Sequence, residues 1–97
     1  RIAVFSMLAD KDIDGVLAIV KDQFDSWHIA PLEMPRGMSA DALRQKLHNQ
    51  GIEQIKEYPH IADAYHAALA GASENDRIIV FGSFHTVAEV MGLLQQG

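Results

Sequence analysis

The chain has 97 residues, of which 48% are hydrophobic and 22% charged, and it contains no cysteine. That length suits one domain with a modest core, and the lack of cysteine excludes a disulfide framework and thiolate chemistry and fits a cytoplasmic location. A formal net charge of -5 argues against a general nucleic-acid binder, and no run of about 18 apolar residues is present to cross a membrane as a helix.

The chain opens inside an apolar run. Ile2, Ala3, Val4, Phe5 and Met7 predict a buried strand over residues 2–7. A chain that begins within its first central strand is expected to be a piece of a larger protein. Asp10, Lys11 and Asp12 follow, and then Ile13, Val16, Leu17, Val20 and Phe24 recur at the spacing of an amphipathic helix. Asp10 or Asp12 can cap it. Lys11 is out of place, because the helix dipole disfavours a cation in the first turn. It is either a solvated loop lysine or a binder of carboxylate or phosphate.

Trp27, His28, Ile29 and Ala30 predict a second strand, stopped by Pro31. His28 alternates with apolar neighbours, which reads as a satisfied structural histidine. The loop that follows holds Pro35, Arg36 and Gly37. Arg36 is either an anion clamp or a surface arginine. Ser39 is placed to cap a helix carrying Leu43 and Leu47, which frays at Asn49, Gln50 and Gly51. Residues 52–58 read as a short edge strand, with Lys56 and Glu57 suited to exposure. Pro59 precedes a helix whose buried stripe is expected to be Ile61, Ala64, Tyr65, Ala68 and Leu69, ended by Gly71. Of the five histidines, His60 and His66 fall on different faces of a helix, and no metal site is expected.

Ile78, Ile79, Val80 and Phe81 form a continuous apolar run rich in β-branched residues, which suits a central parallel strand covered on both faces. Gly82 breaks the run, and Val87, Val90, Met91 and Leu94 then recur at helical spacing. Ser83, Phe84 and His85 therefore stand where a strand's carboxyl end meets a helix's amino end, the edge at which open α/β sheets bind ligands. From its position Ser83 is either an N-cap or a donor to a carboxylate.

Four strands alternating with four helices predict an α/β, Rossmann-like three-layer domain. A mainly parallel sheet of about four strands in the order 3-2-1-4 would carry helices on both faces. Strands 1 and 4, the most apolar, are expected to be central neighbours, so that Lys11 and Ser83 face each other across a crevice at the topological switch point. No phosphate-binding glycine motif occurs.

Three blocks of the sequence resemble one family. They are residues 7–13 (Met, Leu, Ala, Asp, Lys, Asp, Ile), Ala30 to Leu32 with Pro35, Arg36 and Gly37, and residues 80–87 (Val, Phe, Gly, Ser, Phe, His, Thr, Val). In this order and spacing they look like the carboxy-terminal domain of the bacterial bifunctional folylpolyglutamate synthase/dihydrofolate synthases, in the Mur ligase superfamily. The resemblance covers nearly the whole chain, and implies that residues 1–97 are one Mur ligase carboxy-terminal-type domain, truncated at its amino-terminal end, without the amino-terminal ATPase domain. It implies a parent that activates the carboxylate of dihydropteroate or a folate with ATP and Mg2+, bound mainly by the amino-terminal domain. The acyl phosphate is then attacked by the amino group of L-glutamate.

The resemblance further implies that Lys11 and Ser83, with Phe84, hold the glutamate, and that Asp10 and His85 contribute to the same loops. The parent is expected to be a cytoplasmic monomer whose partners are its substrates and its own amino-terminal domain, not nucleic acid or membrane. The family's domain opens with an Asp-x-Ala-His-Asn-Pro loop that this chain lacks, so the isolated piece is expected to be inactive. The alternative is a self-standing receiver- or nucleotide-binding-like α/β module. Asp10 and Asp12 imitate a receiver's acidic cluster, but no aspartate ends a later apolar strand.

Overall fold

Strand β1 (Ile2–Phe5) is the centre of the sheet, and all four of its residues are buried. It pairs in parallel with β2 (Ser26–Ile29) on one side and β4 (Ile78–Phe81) on the other. The short strand β3 (Ile55–Glu57) pairs in parallel with β2, so the order is β3-β2-β1-β4, as the alternation of apolar runs predicts. These elements come from a computed structural model that describes residues 1–9, 12–82 and 92.

Each helix forms where periodicity and capping agree. Helix α1 (Ile13–Val20) is capped by Asp12 and buries Ile13 and Leu17. Helix α2 (Ala40–Asn49) is capped by Ser39, whose Oγ accepts from Ala42 N at 3.1 Å, and buries Leu43 and Leu47. Gly51 follows it at φ +82°, the left-handed conformation that glycine adopts without strain. Helix α3 (Ile61–Gly71) has no side-chain cap and buries Ile61, Ala64, Tyr65 and Ala68. The expected fourth helix lies outside the described residues.

Two cores flank the sheet. Leu17 of α1 and Leu43 and Leu47 of α2 pack with Ala3, Phe5, Trp27 and Ile29 on one face. On the other, Ile61, Ala64, Tyr65 and Ala68 of α3 pack on Ile2 and Val4. The first face is dominated by aromatic rings. Phe5 meets Trp27 edge-on at 5.6 Å, and Phe24 stacks on Phe81 at 5.4 Å, arrangements that add to area burial.

Several expectations need correction. Strand β1 ends at Phe5 rather than at residue 7. Met7 stays buried, but its carbonyl accepts from Met38 N at 3.0 Å and so leaves the sheet ladder. Strand β2 stops at Ile29, one residue before Ala30, which is buried outside the ladder. Phe24 lies beyond the end of α1 and joins the aromatic cluster instead of the helix stripe. Leu69 is 48% exposed: at 100° per residue it falls roughly 90° from the middle of the stripe made by the other four. Strand β4 is less buried than its unbroken apolar run predicts, although Phe81 packs against the first core and Ile78 and Val80 against the second. Among the described strands it has one neighbour, β1, and Ile79 is exposed while Ile78, Val80 and Phe81 are half-buried.

Candidate functional site

The carboxyl edge of the sheet is built where β1 and β4 end together. Their parallel register sets Phe5 beside Phe81, so the next residues, Ser6 and Gly82, emerge side by side. Gly82 has φ +120°, and a Cβ there would lie 1.9 Å from the Ser6 carbonyl oxygen. Only a residue without a side chain permits that approach. The two strand-to-helix connections singled out in the sequence therefore leave from adjacent points of one edge.

The expected site residues themselves, Asp10, Lys11, Ser83, Phe84 and His85, lie outside the described residues. Only their neighbours along the chain are described. On one side Ala9 and Asp12 bracket Asp10 and Lys11; on the other Gly82 precedes Ser83.

The amino end of α1 is already supplied with an anion. Asp12 accepts from Gly15 N at 3.1 Å. A Cβ on Gly15 would stand 2.3 Å from Asp12 Oδ2, so glycine makes room for the cap. Asp14 adds a second carboxylate in the first turn and pairs with Lys46 of α2 at 3.1 Å. An anionic ligand at this helix end meets two carboxylates, and needs a cationic side chain to hold it.

The loop after β2 closes the same edge. Ala9 N donates to Arg36 O at 2.7 Å, Met38 N donates to Met7 O at 3.0 Å, and Leu8 forms an antiparallel bridge with Gly37. The β2–α2 loop is thus tied to the β1–α1 connection by backbone bonds. Its other flank reaches α3 through the contact of Glu33 with His60 Nδ1. There a cleft is lined by Leu32, Glu33, His60, Ile61 and Asp63, with carboxylates that do not favour an anion. Among the described residues no group of three or more His, Asp or Glu side chains could hold a metal ion.

His28 is structural, as its alternation predicts. It is 7% exposed, its Nδ1 lies 2.9 Å from the Tyr58 hydroxyl, and the two rings stack at 5.5 Å. Burial, and secondarily the charge of Lys56, hold its pKa below the ordinary imidazole value. Burial pushes the Tyr58 phenol up. Arg36 is exposed, and the participation of its backbone in the edge is not visible in the sequence. The signal available was turn chemistry alone, a proline and a glycine flanking one residue.

Comparison with known proteins identifies the family. A family model described as Mur ligase, glutamate ligase domain, matches residues 1–84. The dihydrofolate synthase/folylpolyglutamate synthase of Escherichia coli (strain K12) is 46% identical over 93 residues, which are 96% of this chain and 21% of that protein. The structure of E. coli FolC in complex with ADP, without folate substrate, superposes with a TM-score of 0.88 at 45% identity, covering 98% of this chain and 22% of the other. A bifunctional folylpolyglutamate synthase/dihydrofolate synthase solved with Mn, AMPPNP and L-glutamate bound gives 0.87 at 41% identity, covering 97% of this chain and 22% of the other. The chain therefore spans about a fifth of the length of the relatives it matches.

Proposed function

Because the chain belongs to the Mur ligase family, as its glutamate ligase domain, we propose that it serves a parent enzyme that joins L-glutamate to dihydropteroate or a folate. The match across residues 1–84 to a glutamate ligase domain carries this reading. A relative solved with L-glutamate, AMPPNP and Mn supports the ligand classes. ATP transfers its terminal phosphoryl group to the folate carboxylate, giving an acyl phosphate and ADP. The amine of glutamate attacks the acyl carbon, phosphate leaves, and an amide bond remains.

In this scheme the chain holds the incoming amino acid. Lys11 supplies the cation for the glutamate α-carboxylate, and Ser83 a hydroxyl donor, with Phe84 beside it; Asp10 and His85 shape the same loops. Two donors on the carboxylate leave the amine free to attack in a fixed orientation. In this reading ATP and Mg2+ are bound mainly by the remainder of the parent. The chain alone is expected to be inactive.

Two measurements test the reading. The parent, given ATP and L-glutamate with dihydropteroate or with tetrahydrofolate, should release one ADP and one phosphate per glutamate joined. No glutamate-dependent ADP release with either acceptor would overturn the reading. The 97-residue chain alone should show no micromolar affinity for ATP by calorimetry; tight ATP binding would favour a self-standing nucleotide-binding module instead.

A further inference from the structure

We propose that the turn at Arg36 and Gly37 is a positioning clamp for the connection from β1 to α1, and thereby sets the parent's apparent affinity for glutamate. Three independent observations meet at this turn. Arg36 has φ +63°, the one non-glycine residue in the left-handed region among those described. A left-handed conformation is uncommon for a residue with a side chain, and such outliers persist where surrounding structure over-determines them. Gly37 has no space for a side chain: a Cβ would stand 1.9 Å from the Leu32 carbonyl oxygen and 3.0 Å from that of Met34. Both atoms are backbone, so neither moves aside cheaply. The peptide groups brought out by this geometry then bind the other loop. Arg36 O accepts from Ala9 N at 2.7 Å, and Met38 N donates to Met7 O at 3.0 Å.

The consequence for the edge follows from chain position. Ala9 is held by Arg36, and Asp12 is held by its own cap on Gly15. Two residues separate these fixed points, Asp10 and Lys11. The clamp is pinned in turn. Within it Gly37 N donates to Met34 O at 2.9 Å and Leu32 N to Met38 O at 3.2 Å, and Glu33 contacts His60 at the start of α3. Arg36 and Gly37 are positioning residues that act through Ala9, and the link to glutamate rests on the reading of Lys11 given above.

The test uses the full-length parent with Gly37→Ala, Arg36→Val and Arg36→Gly. Valine is disfavoured at positive φ, whereas glycine accepts it and also removes the guanidinium. Gly37→Ala and Arg36→Val should raise the glutamate KM roughly 10- to 100-fold, the scale of a misplacement near 1 Å, with the ATP KM held within about twofold. Both should speed hydrogen exchange at the Ala9 amide. Arg36→Gly should raise the glutamate KM less than Arg36→Val and protect the Ala9 amide better, because both lack the guanidinium and only valine strains the turn. Unchanged glutamate KM in both Gly37→Ala and Arg36→Val would overturn the proposal. So would an Arg36→Gly effect as large as that of Arg36→Val, since the side chain and not the turn would then matter. If Lys11→Ala leaves the glutamate KM unchanged, the reading of Lys11 fails separately. The clamp is then decided by Ala9 exchange alone: faster exchange in Gly37→Ala supports it, and wild-type exchange overturns it.

Discussion

Gly82 approaches Ser6 so closely that a Cβ on Gly82 would stand 1.9 Å from the Ser6 carbonyl oxygen. This contact locks the carboxyl ends of β4 and β1 together at the edge where both connections leave the sheet. The backbone at Gly82 is also at φ +120°. In Gly82→Ala the added methyl has no room, and the conformation is nearly closed to an L residue, so about 1–3 kcal/mol of stability should be lost from the backbone strain alone. Denaturant melts of the chain check this; a variant as stable as the wild type would mean that the ends of β1 and β4 are not in contact.

His28 makes stability depend on pH. Its pKa is depressed in the folded chain by burial first and by Lys56 second, so the unfolded chain binds more protons below the ordinary imidazole pKa of about 6.5. The sign is therefore fixed. No penalty exists above that value, and stability falls as pH drops below it toward the lower folded-state pKa. Urea midpoints at pH 7.5 and 5.5 should differ in that direction, and His28→Phe should flatten the difference. An unchanged slope in that variant would show that His28 is not the responsible group.

Leu47 and Leu69 provide a matched pair. Leu47 of α2 is fully buried in the core cluster that contains Trp27 and Ile29, whereas Leu69 of α3 is 48% exposed. Leu47→Ala should cost about 2–5 kcal/mol, and Leu69→Ala about 0.5 kcal/mol or less. Equal losses in chemical denaturation would contradict the assignment of the α3 face.

Much of the fold was legible because physical signals coincided. The run from Ile2 to Phe5 has no polar face and is the fully buried central strand. Ser39 stands three residues before the amide it caps. Strand β4 shows the limit: Ile78 to Phe81 is equally apolar, yet among the described strands it has one neighbour and exposes Ile79. Local sequence reports what a strand can bury, not how far the tertiary structure covers it. Leu69 failed for a related reason, since it sits at the margin of a helical stripe where tertiary packing decides. The edge was legible as a location, because Gly82 marks the change of period. Its closeness to Ser6 and the left-handed Arg36 were not, being products of contacts between distant segments and, for Arg36, contrary to residue preference.

The most direct measurement is the glutamate KM of the full-length parent carrying Lys11→Ala. Removing one partner of a desolvated, charge-assisted contact costs about 2–5 kcal/mol, which is roughly 30- to several-thousand-fold in apparent affinity. Ser83→Ala, which removes a neutral donor, should cost less, about 1–2 kcal/mol. The account predicts that Lys11→Ala raises the glutamate KM by at least about 30-fold while the ATP KM and the melting temperature stay near those of the unmodified enzyme. A glutamate KM unchanged by Lys11→Ala would contradict it.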